Sequence, residues 1–298
     1  MDLARTVLGG AEGGWRVLLL ACLLLLLAPP AAAQDAASLQ DRHAALREQL
    51  ASNPFQRPLH IASQVGEGSL QGDIHARFEQ PFTVLAAALQ EIGHWCDILI
   101  LHPNVKGCRV RPGDLLDLNL GRKFEQPLDD TQPFAFRFRM VSARSDYLQL
   151  ALDADRGPLG TSAYRMTLEL APLDARRSFL HLSYAHAFGL RARLAMQGYL
   201  MTLGRDKVGF SIVGRRDDGQ PLHVGGMRGV VERNVMRYYL AIEAFLDALP
   251  APAASQAEHR LQLWHAGVRR YPLQLQEPEL DSYLEMKRRE IQRQQDSR

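Results

Sequence analysis

From Leu70 to Phe78 the chain alternates without a break. Leu70, Gly72, Ile74, Ala76 and Phe78 are small or apolar, and Gln71, Asp73, His75 and Arg77 between them are polar. Period two is the spacing of a strand with one buried face. The rhythm returns from about Arg109. Leu116, Leu118 and Leu120 share one face, and Phe134, Phe136, Phe138 and Met140 share the next, with Arg137 and Arg139 opposite. "YLQLAL" follows, then Tyr164, Met166, Leu168 and Leu170, then Leu180, Leu182 and Tyr184. Turn residues bound each run, which predicts an antiparallel meander. "DDG" at 217–219 marks a further hairpin.

The period then becomes helical. In "GGMRGVVERNVMRYYLAIEAFLDAL", Val231, Val235, Tyr238, Ile242, Phe245 and Leu249 recur at alternating steps of four and three. This predicts a long amphipathic helix over about 227–249. Shorter helices are predicted in three places. One lies within 35–58, with Ser38 as N-cap and Leu39, Leu46 and Leu50 on one face. Another starts at Pro81, with Val84, Leu85, Ala88, Leu89 and Ile92 inward. A third interrupts the strands at 189–204. "GHWCDILILHP" reads as a second short helix or an irregular segment. After the linker "PAPAAS", the remainder reads as two helical pieces broken at Pro272 and Pro278, the last one so charged that it is expected to fray.

The order is one strand, short helices, about six antiparallel strands and a long helix. A strongly bent sheet of this kind can wrap a helix and leave room for an apolar ligand. The order resembles the helix-grip fold of the START-like and wider SRPBCC superfamily over about 60–249. The resemblance is strongest at "GSLQGDIHARFEQPFTVLAAAL" and "VGGMRGVVERNVMRYYLAIEAFL". It implies an α+β fold, with a curved antiparallel sheet of about seven strands wrapped around the long helix. It also implies a lipid or other hydrophobic small molecule held between the two. The residues assigned to that ligand are Arg228, Glu232, Arg237, Tyr238, Ile242 and Phe245 on the helix, and Phe136, Met166 and Tyr184 on the sheet. The implied organisation is a leader at 1–33, a helix and linker at 34–58, the START-like unit at 59–249, and a helical tail at 250–298.

The helix begins with unusual charge. Arg228 and Glu232 stand four apart and can pair, and Glu232 lies where the helix dipole favours an anion. Arg233 and Arg237 form a like-charged pair. They need either an anionic ligand group or acidic partners from neighbouring strands or the tail. Tyr164, Tyr184, Tyr238 and Tyr239 are candidates to orient a ligand, and Met166, Met196, Met201 and Met236 to line an adaptable pocket; ordinary core packing is the alternative for each.

Charge and composition narrow the classes. Thirty-five basic and 33 acidic residues give a net charge of +2, which argues against a dedicated nucleic-acid binder. Arg16, the apolar run Val17–Ala28 and the small residues before Gln34 have the order of a secretory signal peptide cleaved near Ala33. Two rivals are a lipoprotein, since "LLAC" loosely resembles a lipobox, and an uncleaved anchor. An exported chain would leave Cys96 and Cys108 as a pair, which reads as a disulfide, with two separate buried thiols as the alternative. The mature protein is then periplasmic or secreted. "GGMRG" has neither dinucleotide nor Walker spacing. No GxSxG elbow or HExxH motif is present, and neither a metal nor a cofactor is called for. His181 and His186 point to opposite faces of one strand, His75 lies on the outer face, and His94 and His102 flank the cysteine pair; all read as surface or internally satisfied histidines. Two other functions stay open. One is a cyclase- or hydrolase-type enzyme using the same cavity, with Glu232 and a tyrosine as its acid–base groups. The other is an envelope interaction protein whose tail, with Trp264, Arg269, Arg270, Tyr271 and "MKRRE", docks a partner or membrane surface.

Overall fold

A computed structural model describes residues 35–202 and 204–296; the leader and its cleavage site near Ala33 lie outside the described residues. Leu59–Gly66 (β1) and Ser69–Phe78 (β2) form a hairpin whose turn places Gly68 at φ +92°, a conformation glycine adopts without a Cβ clash. The other strands are β3 (Val105–Arg111), β4 (Leu115–Leu120), β5 (Gln132–Arg144), β6 (Tyr147–Arg156), β7 (Thr161–Pro172) and β8 (Ser178–Phe188). They make one antiparallel sheet in the order β1-β2-β8-β7-β6-β5-β4-β3. The predicted alternation sets its register: Ile74, Leu182, Leu168, Leu150 and Met140 fall in one row across five strands. The count is eight where about seven were predicted. β1 loses its alternation after Ile61, and β3 is rich in Lys and Arg and irregular between Val105 and Gly107. The "DDG" hairpin, β9 (Ile212–Arg215) and β10 (Pro221–His223), stands apart as a two-stranded sheet.

Two short helices, α1 (Ala36–Ala45) and α2 (Arg47–Ala51), cover the convex face. Ala36, Leu39 and Leu50 pack there with Tyr147, Ala171 and Phe179. Asp35, not Ser38, caps α1. Its carboxylate accepts from the Ser38 N–H at 2.8 Å, because the helix starts two residues before Ser38. In α3 (Phe82–Gln90) the buried stripe is Phe82, Leu85, Ala86, Ala88 and Leu89. Val84, expected inside, faces solvent because the helix opens on a buried Phe82. The chain then breaks at Glu91 into α4 (Ile92–Leu99), whose Cys96 is disulfide-bonded to Cys108 of β3. α5 (Leu190–Met201) leaves Leu190, Leu194 and Met201 exposed.

The long helix, α6 (Gly226–Asp247), crosses the concave side over β1, β2 and β8. Gly72 sets its approach: a Cβ there would stand 3.0 Å from Val235 Cγ1 and 3.2 Å from the Val231 carbonyl oxygen. Val231, Val235, Ile242 and Phe245 are fully buried beneath it. A curved antiparallel sheet gripping this helix is the helix-grip arrangement.

α7 (Ala253–Arg269) packs on α6, and α8 (Leu280–Asp296) packs on α7 and β3. The expectation of a fraying end is corrected here. Lys287 and Glu290 turn inward and pair with each other, and Glu290 also takes Lys106 of β3, so the charge of α8 is partly a buried network. α8 also covers the free edge of β3. Gln294 Oε1 accepts from the Cys108 N–H at 2.9 Å, and Lys287 Nζ donates to the Val105 carbonyl at 2.8 Å. Trp264, expected to meet a partner, is fully buried and stacks on Tyr283 at 4.9 Å; Tyr271 is buried too.

Candidate functional site

The charged start of α6 has partners within the protein. Glu232 is fully buried and accepts from Ser63 Oγ (2.5 Å), Phe210 N (2.6 Å), Ser211 N (2.9 Å) and Ser211 Oγ (2.7 Å). It therefore fastens the helix both to β1 and to the segment ahead of β9. Arg233 donates to the carbonyls of Lys207 and Val208. Arg237 donates to Glu277 at 2.6 Å, and Lys123 meets the same carboxylate at 2.8 Å. The two cations hold the buried Glu277 below the usual carboxylate range against the opposing effect of burial. Arg228 donates to Ser63 Oγ at 3.1 Å and stays half-exposed, with its Nη2 4.0 Å from Glu232. The pairing of these groups with neighbouring strands and the C-terminal segment explains most of the charge.

The other sequence-assigned residues divide by accessibility. Ile242 and Phe245 are sealed completely and Phe136 and Met166 are 1 % exposed, so none of the four presents an open face to a ligand. Tyr184 and Tyr238 differ. Their rings face each other at 5.3 Å, one from β8 and one from α6. Tyr238 is only half-buried, and neither hydroxyl meets a hydrogen-bond partner among the described residues. Around them stand Tyr164, 6.2 Å from Tyr184; His186, stacked on Tyr164 at 4.9 Å; Phe134, 5.1 Å from Tyr164; and His102, 5.2 Å from Tyr238. The site is thus an aromatic box at the middle of α6.

Burial fixes the protonation of this box. It raises both phenols above their ordinary range and lowers His186. It also drives His102 well below its usual value, with the Arg237 and Lys123 charges adding to the effect. At neutral pH the tyrosines are donors and the imidazoles are uncharged. His102 Nδ1 accepts from the Asn104 N–H at 3.1 Å, which leaves the proton on Nε2. The arrangement can orient an acceptor on an otherwise apolar molecule. Glu232, the sequence candidate for acid–base work, already accepts from four protein donors.

Sequence reasoning found Tyr184, Tyr238 and Tyr164. It missed His186 as a site residue, although His186 lies two positions beyond Tyr184 on the same inward face. His102 carries no periodic signal, because it lies in the turn between α4 and β3.

A second titratable cluster occupies the convex face. His181 bonds Asp73 through Nε2 at 3.0 Å and Glu169 through Nδ1 at 2.8 Å, and Tyr147 donates to Glu169 at 2.6 Å. Burial would lower His181, but the two carboxylates overcome it and hold the imidazole up to about 9. His75, expected on an open outer face, is on that face but buried, because α1 and Phe179 cover it. It stacks on His181 at 4.3 Å and is pushed down to about 3, first by burial and then by the His181 charge.

No protein-family profile matches the chain, and no curated protein matches it. Solved structures do resemble it at low identity. A norcoclaurine synthase point mutant from Thalictrum flavum, bound to a transition-state analogue, is 15 % identical with a TM-score of 0.34, covering 48 % of this chain and 89 % of that one. A START superfamily protein from Mycobacterium smegmatis is 11 % identical with a TM-score of 0.30, covering 49 % and 92 %. A protein from Arthrobacter aurescens is 17 % identical with a TM-score of 0.33, covering 64 % and 92 %. The helix-grip fold is read from the strand order and the seat of α6.

Proposed function

We propose that the protein binds a small hydrophobic molecule, a lipid or similar compound bearing a hydrogen-bond acceptor, at the aromatic box between sheet and α6. The observation that carries this reading is the Tyr184–Tyr238 pair: two phenol hydroxyls without protein partners, set among Phe134, Tyr164 and His186. Neither hydroxyl is shut off from solvent, so each can exchange water for a ligand acceptor, a hydrogen bond worth about 0.5–1.5 kcal/mol net. The sealed packing around Ile242 and Phe245 favours a ligand short enough to stop before that turn of the helix. The leader pattern supports an exported protein, for which mature material should begin at Gln34 on N-terminal sequencing.

The test is extraction of a denatured preparation followed by mass spectrometry, with titration of a panel of fatty acids, sterols and small aromatic ketones. A bound or binding compound is expected, with affinity falling about ten-fold in Tyr184→Phe/Tyr238→Phe as its hydrogen bonds are lost. A protein that is empty and binds nothing in the panel, or binding indifferent to both hydroxyls, would reject the assignment.

A further inference from the structure

The convex side of the sheet carries a groove that the proposed function does not use. It lies where β3 to β6 meet α8 and has a volume of about 840 Å³. Its floor is formed at outward-facing positions with little side chain, Gly107, Pro133 and Ala135. Arg293 and Gln294 of α8 wall one side, and Leu128, from the loop joining β4 to β5, walls another. Arg289 pairs with Glu125 of the same loop at 3.1 Å, which fastens loop to helix.

The lining carries four cations, Lys106, Arg109, Arg156 and Arg293, against three carboxylates, Asp117, Asp155 and Glu290. Lys106 and Lys287 both pair with Glu290, and Arg293 lies close enough for its charge to act on both lysines. Lys106 Nζ takes Oε1 at 3.0 Å and Lys287 Nζ takes Oε2 at 2.7 Å. Lys106 and Lys287 are each held below their ordinary range, by burial first, with the Arg293 charge among the further causes. Arg293 Nε and Nη2 are shut off from solvent and have no hydrogen-bond partner. Arg109 and Arg156 add two exposed cations to the lining, and Asp117, one of the acids there, is already paired with Arg111 at 2.8 Å.

We infer that the groove binds an amphipathic oxyanion, a carboxylate or phosphate carried on a compact apolar body, with Arg293 turning its guanidinium onto the oxygens. The Nε and Nη2 donors form the planar fork that matches two oxygens of a carboxylate or phosphate. Their unpaired state gives the side chain a reason to move. Leu128, Pro133 and Ala135 supply contact for the apolar body. The groove shares Phe134 with the aromatic box but none of the box's tyrosines or histidines, so the two sites are tested by different side chains.

The test is calorimetric titration of the full mature chain with 2-naphthoate, 2-naphthyl phosphate, inorganic phosphate and neutral 2-naphthol. One or both naphthyl anions should bind at a single site, and which of them binds more tightly separates carboxylate from phosphate. Arg293→Gln should weaken that binding about ten-fold or more, as expected for loss of a bidentate charged contact. Tyr184→Phe/Tyr238→Phe should leave it unchanged. Should Arg293→Gln fail to fold, the exposed pair Arg109→Gln/Arg156→Gln carries the same test, with a loss of about three-fold from reduced charge attraction. The inference is overturned if neither anion binds, if 2-naphthol or inorganic phosphate binds as tightly, or if the arginine variant that folds keeps full affinity.

Discussion

The Asp73–His181–Glu169 cluster allows a stability prediction with its sign worked out. The perturbation is the triple change Asp73→Asn/His181→Gln/Glu169→Gln, which removes the cation together with both carboxylates and so leaves no lone buried charge. In the folded chain His181 titrates at about 9 against an ordinary 6.5. A raised imidazole contributes stability that is complete below pH 6.5 and lost as pH rises through 9. That difference is worth about 3 kcal/mol at the acid end, of which about 2 kcal/mol disappears between pH 7 and 9. Asp73 and Glu169 are held low by His181 despite their burial, so they stay charged throughout this window. Lys123 and Lys287, pushed down to about 8 chiefly by burial, favour the folded state increasingly as pH rises from 8 toward 10.5, and do so in both proteins. The comparison therefore needs the difference between wild type and variant, taken from urea unfolding at pH 7, 8 and 9. The wild-type advantage should shrink by about 2 kcal/mol across that range. Parallel curves would refute the reading of His181 as a cation locked between two carboxylates.

Other outcomes follow from single features. Gly72→Ala forces a methyl to within 3.0 Å of Val235 Cγ1 and should lower stability by about 1–3 kcal/mol in denaturant titration, as overpacked sites do. Glu232→Ala strands the donors of Ser63, Phe210 and Ser211 and should cost about 2–4 kcal/mol, with amide exchange rising first in the 207–211 segment. Replacing Cys96 and Cys108 by serine should cost about 2–4 kcal/mol, read as a lower thermal midpoint that a reductant no longer changes. A chain ending at Leu249 should aggregate or fail to fold, because Trp264, Tyr283 and Met286 belong to the same core as Phe245; a soluble monomer with wild-type stability would contradict this.

Most of the grip was legible in the sequence, because strict alternation fixes which face of each strand is buried, and the four-three spacing from Val231 to Phe245 does the same for α6. What stayed hidden depends on contacts between distant residues. Only the last residues of "VKGCRVR", from Arg109, carry a strand rhythm; its first half is completed by Gln294 and Lys287 from the far end of the chain. The arginines of α6 looked available to a ligand because Glu277, the partner of Arg237, lies forty residues on. His75 looked exposed for a similar reason: α1 and Phe179, which shield it, are remote in sequence. The aromatic box was half legible. Tyr184 and Tyr238 followed from periodicity, whereas the sealing of Phe136, Met166, Ile242 and Phe245 is a matter of packing that no spacing rule reports.

The covering of β3 by α8 also orders events in time. During synthesis β3 and β4 leave the ribosome long before Tyr283, Lys287 and Gln294 exist to occupy their border. Through that interval the nascent sheet presents an open row of amide and carbonyl groups, the kind of border that recruits strands from other chains. Substitutions in α8 should therefore register first as poor recovery of newly made protein, and only afterwards as a shift in the unfolding of molecules already complete.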